Sequence, residues 1–445
     1  MENNFDPMTG ETVNETKSIS SDAGTPKKKV PMGLIIGGAA VVVVAFSIVI
    51  LVALGAFRGK MGTVAVAFAN TFKEQPKFVE DLKVDDISKW IKDENYTVSM
   101  LAEDSEVSMN MSVGVKPSEI RFSGELEGEY MPETDFVVSY TDKLVKAQLP
   151  ALSDVIFVYD YTKMPEGDLV EVMNEEDIEM INEALSTYWN QDSAKLEKKI
   201  SKAVMGVAKE IEIEKIDSKE YKVDGKKRKC KGYSLVITDD ELLDMVDAVD
   251  SVFEEELTEA VYDVYAEAIS EVRDTMRDFP EAEVEIYIYK NKLACINVLF
   301  DDEDMEIEWL FKGGDFRTQN MEITVDNGYS SSSLEVKGKK DGSKEEYEVS
   351  ADGEEILVYE YDSKDGDFVI EIDGEELEGN LLSERNGITL SFEVEDVEAS
   401  VSILKGAEFE KISGEEFDLG EASEDDFEEL YEDNEELFEV IEDLM

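Results

Sequence analysis

Cys230 and Cys295 are the two thiols of the 445-residue chain and the natural place to look for chemistry. Both fall in stretches that alternate apolar and polar residues, on either side of a long run with helical period. In an oxidising compartment they could form one disulfide, which would stabilise a loop of this length by about 4 kcal/mol in the chain-entropy picture. Two separate buried thiols are the other reading, and the sequence leaves both open. A metal site needs further ligands, and none stands at a suitable spacing, so none is expected. Histidine is absent. That removes the commonest general base, the Ser–His and Cys–His nucleophile arrangements and the most frequent zinc ligand.

Carboxylates are abundant, and two clusters invite a calcium reading: Asp301, Asp302, Glu303 and Asp304, and the run from Asp362 to Asp367. Neither matches the spacing of a calcium-binding helix–loop–helix, because the glycines sit at the wrong offset. Acidic turns explain them better. The chain has no phosphate-binding P-loop, no strand-linked dinucleotide glycine pattern and no nucleophile elbow. No catalytic residue and no cofactor is expected, and the chain does not read as an enzyme.

The charge balance bounds the partners. Lys and Arg number 43 against 107 Asp and Glu, net −64. Residues 1–60 hold six basic and five acidic side chains, so the whole excess follows residue 60. A surface this negative repels nucleic-acid backbones and anionic lipid headgroups. Cationic partners, a diffuse cloud of divalent cations, or a merely well-solvated surface are compatible with it.

The positioning elements begin with an uncharged stretch from Val30 to Phe57. As a helix, Gly33–Phe57 would reach roughly 37 Å, enough to cross a bilayer core of about 30 Å. The polar residues before it and its length favour a retained signal-anchor over a cleaved signal. Lys27, Lys28 and Lys29 before it, against Arg58 and Lys60 after it, bias the N-terminus toward the cytoplasm and the rest outside the cell. Gly33 and Gly37 form a small-xxx-small pair that would suit a homodimer through this helix; glycine's frequency in membrane helices is the plainer explanation.

After that segment, residues 62–93 suit one or two amphipathic helices. From Asn95 the period changes to two, as in half-buried antiparallel strands. A helix is expected from about Glu175 to Ala208, interrupted near Asn190. Two strands joined at Asp224-Gly225 follow, and then a capping box, Thr238 to Glu241, opens a helix whose period holds to Met276. Beyond Pro280, Asn-Gly and Asp-Gly dipeptides at roughly ten-residue spacing mark a meander of hairpins. The reading is therefore α+β, mostly antiparallel β: a curved sheet or meander packed with long helices, preceded by one transmembrane helix. The expected segments are a disordered cytoplasmic tail (1–29), the anchor (30–57), a sheet-plus-helices region (62–300), a β-meander continuing the sheet or forming a second domain (301–420), and an acidic helix or tail (421–445).

Phe68-Ala69-Asn70-Thr71-Phe72, Asn95-Tyr96-Thr97-Val98, Ala147-Gln148-Leu149-Pro150 with Phe157 to Tyr161, and Lys229 to Tyr233, in this element order, resemble a group of membrane-anchored extracytoplasmic proteins of Gram-positive bacteria. The sheet-plus-helix layout is also similar to the LolA-type lipoprotein-carrier fold. That resemblance implies a concave apolar cavity for acyl chains. The expected function is thus a single-pass cell-envelope protein whose acidic extracytoplasmic region binds a ligand or partner, a lipid or other apolar ligand among them. The alternative is a non-enzymatic surface scaffold or adhesion protein that contacts cations or wall polymers.

Overall fold

The computed structural model describes residues 59–434, apart from 104–106, 129–130, 170–174, 191–192, 278, 301–304, 373 and 395–396. The apolar segment 30–57 with Gly33 and Gly37, the acidic run 301–304 and the chain beyond 434 lie outside the described residues.

Among the described residues, twenty strands form one sheet. The first group is β1 (Tyr96–Glu103), β2 (Val107–Lys116), β3 (Glu119–Gly128), β4 (Met131–Tyr140), β5 (Leu144–Gln148) and β6 (Val155–Asp160). The second opens with β7 (Glu214–Val223), β8 (Lys226–Ile237), β9 (Ala282–Tyr289), β10 (Lys292–Phe300), β11 (Met305–Phe311) and β12 (Asn320–Asp326). It continues through β13 (Ser331–Asp341), β14 (Lys344–Ala351), β15 (Glu354–Asp362), β16 (Asp367–Ile372), β17 (Glu375–Glu384), β18 (Gly387–Val394) and β19 (Val397–Lys405). A short β20 (Glu415–Asp418) comes last. Strands β7 to β19 pair in chain order, each antiparallel to the next. β19 then takes β1 as its other neighbour, so that β1 to β6 extend the same sheet. β20 closes the row by pairing parallel to β6. The order is open at β7 and at β20, and its nineteen spacings add up to roughly 90 Å along the hydrogen-bonding direction.

The turns follow from their residues. Asp224-Gly225 and Asp352-Gly353 adopt positive φ at both positions, the conformation of a tight type I′ hairpin. Lys290-Asn291 does the same without glycine. β10 carries a bulge between Leu293 and Cys295. There the Leu293 N–H donates to Thr71 Oγ1 (2.7 Å), which itself donates to the Ala67 carbonyl (2.6 Å). A helix side chain thus supplies the acceptor that the ladder lacks at this point.

Side-chain alternation gives the sheet one apolar and one polar face. The helices of the N-terminal region lie on the apolar face. α1 (Gly59–Phe72) buries Val64, Ala67 and Phe68 against Ile286, Leu293, Ile296 and Phe311. α2 (Lys77–Asp81) and α3 (Val84–Lys92) set Phe78, Leu82 and Ile87 on Tyr361, Phe368, Leu381 and Ile388. Between β6 and β7 run α4 (Glu175–Asn190) and α5 (Ser193–Ala208), linking β6, the neighbour of β20 at one end of the strand order, to β7 at the other. α5 packs on α6 (Asp239–Glu256), α6 on α7 (Glu259–Arg277), and α4 on α7. α4 also meets the first strand group, where the Tyr159 hydroxyl donates to Asn182 Oδ1 (2.7 Å). α8 (Glu424–Asp433) seats Phe427 on Phe417 of β20.

Two expectations need correction. First, the layout is not a curved sheet packed with long helices. One twenty-stranded antiparallel sheet dominates, and its helices are short, the longest among the described residues being the 19-residue α7. The periodic run from Asp239 to Met276 is two helices, broken at Leu257, whose backbone is extended (φ −96°, ψ 157°). Its apolar period continues across the break because both helices present the same kind of face, so the pattern could not reveal a turn. Second, no helix among the described residues is long and apolar enough to cross a membrane. Hydropathy over 30–57 suggested a transmembrane signal-anchor, but the first described element is α1, which is a core helix packed on the sheet. The expected single-pass anchor and cell-membrane placement therefore have no counterpart among the described residues; residues 30–57, with Gly33 and Gly37, lie outside them. Of the two readings open for the cysteines, the structure has separate thiols: Cys230 and Cys295 are both free and buried. They lie on β8 and β10 with β9 between them, so their Cα atoms stand about two strand spacings apart, roughly 9.6 Å, beyond what a disulfide spans.

Candidate functional site

The polar face changes character along the sheet. Over most of the meander it carries Glu and Lys. On β18, β19, β1, β2 and β3 the registers bring Thr389, Ser402, Ser99, Ser112 and Ser123 into one row across five strands. Thr389 and Ser402 share a hydroxyl hydrogen bond of 2.9 Å, and Ser112 and Ser123 one of 2.8 Å. With the rows on either side, fifteen positions of this face hold eight Ser or Thr and only two charges, Arg121 and Glu125. At the chain's overall charged fraction of 34%, about five would be expected. A neutral hydroxyl surface therefore sits within a strongly negative molecule.

Residues 406–414 cross this face. Ten residue steps join Lys405 to Glu415, and seven strand spacings separate β19 from β20; both come to roughly 34 Å, so the strap is stretched nearly straight. It is tied down at intervals. The Thr97 hydroxyl donates to the Gly406 carbonyl (2.9 Å), the Arg121 guanidinium to the Glu410 carbonyl, and the Glu415 N–H to the Asp154 carbonyl (3.0 Å). Phe409 lies over Gly114, where any Cβ would collide with its ring. The Lys116 ammonium stands 4.1 Å from the centre of that ring and the Arg121 guanidinium 4.6 Å. Arg121 is held in turn by Glu119, which also accepts from the Ser139 hydroxyl (2.8 Å).

Between strap and sheet lies a groove of about 560 Å³, within the size range of small-ligand sites. Asn110, Ser112, Ser123 and Gln148 are on its floor, Glu125 and Asp135 at one side, and Phe409 to Ser413 in its wall. It runs across the strands, so its floor repeats about every 4.8 Å. Such a surface offers hydroxyl and amide donors and acceptors at regular intervals. It has no nucleophile–base pair and no metal-ligand set. Among the described residues, no group of three or more His, Cys, Asp or Glu is placed to hold a metal.

Two smaller cavities are also polar. One, of about 440 Å³, includes Lys339, Glu345 and Asp367 at the tips of β13 to β16; the other, of about 210 Å³, lies between β6 and β20. In the first, Glu345 is 2% exposed and accepts from the Lys77 N–H (2.6 Å) and the Lys340 ammonium (2.9 Å). Asp362 serves its own turn, accepting from the Lys364 N–H (3.1 Å).

The sequence-derived site residues do not come together here. Cys230 and Cys295 sit under the other end of the polar face, in a small cluster with Val223, Tyr287 and Ala294. Burial raises both thiols above their ordinary range, which keeps them protonated and unreactive at neutral pH. Gly33 and Gly37 lie outside the described residues. The hydroxyl row went unread because its members come from both ends of the chain. Serines two apart, as at Ser400 and Ser402, were its local trace, but only the β19–β1 pairing puts them beside Ser99. No family model and no curated protein matches the sequence.

Proposed function

We propose that the protein is a non-enzymatic binding protein that holds an extended, uncharged polyhydroxylated polymer, a glycan, in the groove between the 406–414 strap and the β1–β5 face. The observation that carries this reading is the groove floor of Asn110, Ser112, Ser123 and Gln148, whose two serines belong to the in-register row that continues beyond the groove through Ser99 and Ser402 to Thr389. The strand-to-strand repeat of about 4.8 Å is close to the length of one sugar unit in an extended chain, and the floor offers hydroxyl and amide partners on neighbouring strands. The aromatic ring of Phe409 at the wall and the amides of Asn110 and Gln148 fit the same ligand class, which presents apolar ring faces and hydroxyl edges. Its neutrality excludes the electrostatic competition that a charged polymer would meet on a chain of net −64.

The test is co-sedimentation of the full chain with insoluble chitin, cellulose and peptidoglycan, followed by calorimetric titration with soluble fragments of whichever polymer retains it. Ser112→Phe together with Ser123→Phe fills the floor and should abolish retention. Equal retention of wild type and double variant on every polymer, or none by wild type, would sink the reading.

A second reading, an apolar ligand such as an acyl chain, rests on the opposite face of the same strands. Met100, Met111 and Phe122 are 50%, 41% and 44% exposed there, side by side on β1, β2 and β3. Native mass spectrometry of the purified chain separates the two: co-purifying lipid favours this face, a clean mass the groove.

A further inference from the structure

The most basic stretch of this acidic chain is the hairpin β7–β8. Residues 214–231 carry eight basic against four acidic side chains, net +4 in a molecule of −64. Six of the eight, Lys215, Lys222, Lys226, Lys227, Lys229 and Lys231, are exposed and have no ion pair among the described residues. Elsewhere lysines such as Lys199, Lys312 and Lys337 each engage two carboxylates. Lysine on an edge strand also guards against sheet-to-sheet aggregation, and that role would account for β7. It does not account for what lies beneath.

The loop 312–319, between β11 and β12, folds onto the tip of this hairpin, the Asp224 N–H donating to the Lys312 carbonyl (2.9 Å). It brings in Arg317, which is only 5% exposed. The Nε and Nη1 atoms of Arg317 are buried and have no acceptor. The nearest carboxylate oxygen, Asp224 Oδ1, is 3.6 Å from Nη1, too far for a hydrogen bond. Gly313 is in the left-handed region (φ +79°), and a Cβ there would meet Nη1 at 3.2 Å and run into Asp224, so the loop requires glycine to close over the guanidinium. Arg228, on the same hairpin, repeats the pattern: its Nε is buried without an acceptor and its guanidinium lies 5.5 Å from the Tyr289 ring centre. Lys290 approaches that ring at the same distance. A buried guanidinium whose Nε and Nη1 lack a hydrogen-bond acceptor, with a single carboxylate at 3.6 Å, is costly, and a chain with 107 carboxylates does not lack internal acceptors. Arg317, together with the orphaned Nε of the half-buried Arg228 on the same hairpin, calls for an acceptor from outside.

We propose that Arg317 and Arg228 form an oxyanion site at the β7–β8 hairpin that takes a phosphate group, free or carried on a polymer, with the hairpin lysines providing the attracting field. Guanidinium donors in a fork suit a tetrahedral oxyanion, and a doubly charged group balances two arginines. The negative bulk of the molecule does not forbid this. Screening confines charge effects to about 8 Å at physiological ionic strength but to about 30 Å at 0.01 M, so a partner at ordinary salt meets the hairpin alone.

The full chain is titrated calorimetrically with inorganic phosphate, and its melting temperature is followed at constant ionic strength as phosphate replaces chloride. Wild type should bind saturably and melt higher with phosphate. Arg317→Met should weaken binding by about tenfold or more and abolish the melting shift, while melting no lower than wild type in chloride, since it removes a buried charge that has no hydrogen-bond acceptor at Nε or Nη1. Where that variant fails to fold, Arg317→Lys, which keeps the charge and loses the fork, and Arg228→Met give the same comparison. A lysine variant, Lys226→Gln with Lys227→Gln and Lys229→Gln, separates the sources. If it keeps inorganic phosphate and loses long-chain polyphosphate, the group arrives on a polymer; if it binds both like wild type, the ligand is the free ion. Polyphosphate binding should peak at intermediate salt. No saturable phosphate binding by wild type, or an undiminished response in both arginine variants, overturns the proposal.

Discussion

At the β8–β11 end, the sheet is covered on both faces; along most of β1–β3, apart from Val115 and Ile120 buried where β2 turns into β3, it is covered only by one strap. Ile286, Leu293, Ile296 and Phe311 face α1 on one side, while Tyr287, Ala294 and Cys295 are buried on the other under the second cluster. The strands β1 to β3 have the same antiparallel pairing and the same alternation, yet Met100, Met111 and Phe122 remain exposed and the opposite face carries hydroxyls. The difference teaches that hydrogen-bonded continuity and stability are separate properties in this molecule. One end supplies the packed core. The other is held in place by the ladder itself, which leaves its surfaces free for binding.

The comparison predicts unequal costs for equal truncations. Leu293→Ala, fully buried at the covered end, should lower stability by about 3 kcal/mol, whereas Met111→Ala should cost no more than about 0.5 kcal/mol. Urea denaturation measures both. Equal losses would mean that β1–β3 has a core of its own and that the contrast is false.

A change at the strap should act on the open stretch alone. Gly114→Val drives a side chain into Phe409, and overpacking of this kind costs about 1–3 kcal/mol. The strap can lift to relieve it, so the larger effect should be loss of the groove. Limited proteolysis checks this: cleavage within 406–414 should appear in the variant, with the β8–β11 region still protected. Unaltered proteolysis would show that the strap is not seated on Gly114.

The smallest effect is electrostatic. On the polar side of the covered end, Lys219 pairs with Glu285 (2.9 Å), to which the Tyr287 hydroxyl also donates (3.0 Å). Burial alone would raise the Glu285 carboxyl, but the ammonium and the hydroxyl outweigh it and hold it below its ordinary range. A carboxyl depressed in the folded state contributes stability above its unfolded pKa and loses it as pH falls through the folded value. Lys219→Met should therefore cost about 1 kcal/mol at pH 7, discounted for the half-exposed lysine, and the gap to wild type should close in acid below the ordinary carboxylate range of about 4.3. A gap that stays constant with pH would assign the loss to packing.

Local chemistry made much of the fold legible. The Asp-Gly turns, the capping box at Thr238 and Glu241 and the period-two stretches all mark elements where they stand. What could not be read was anything set by distant pairing. Nothing in Tyr96–Glu103 announces that its neighbour is Val397–Lys405, some three hundred residues on, and that pairing builds the hydroxyl row. The long apolar segment dominated the reading of location because hydropathy is a strong signal, but it lies outside the described residues. The net charge likewise concealed the β7–β8 hairpin, since a sum over 445 residues cannot show eight basic side chains gathered within eighteen.

Amide hydrogen exchange of the full chain, with and without a soluble fragment of the polymer that retains it, tests the central claim most directly. Glycan binding in the groove predicts added protection confined to residues 406–414 and to β1, β2 and β3, with β8–β11 already protected and unchanged. Protection absent from the strap, or appearing instead over Met100, Met111 and Phe122 when lipid is added, would contradict it.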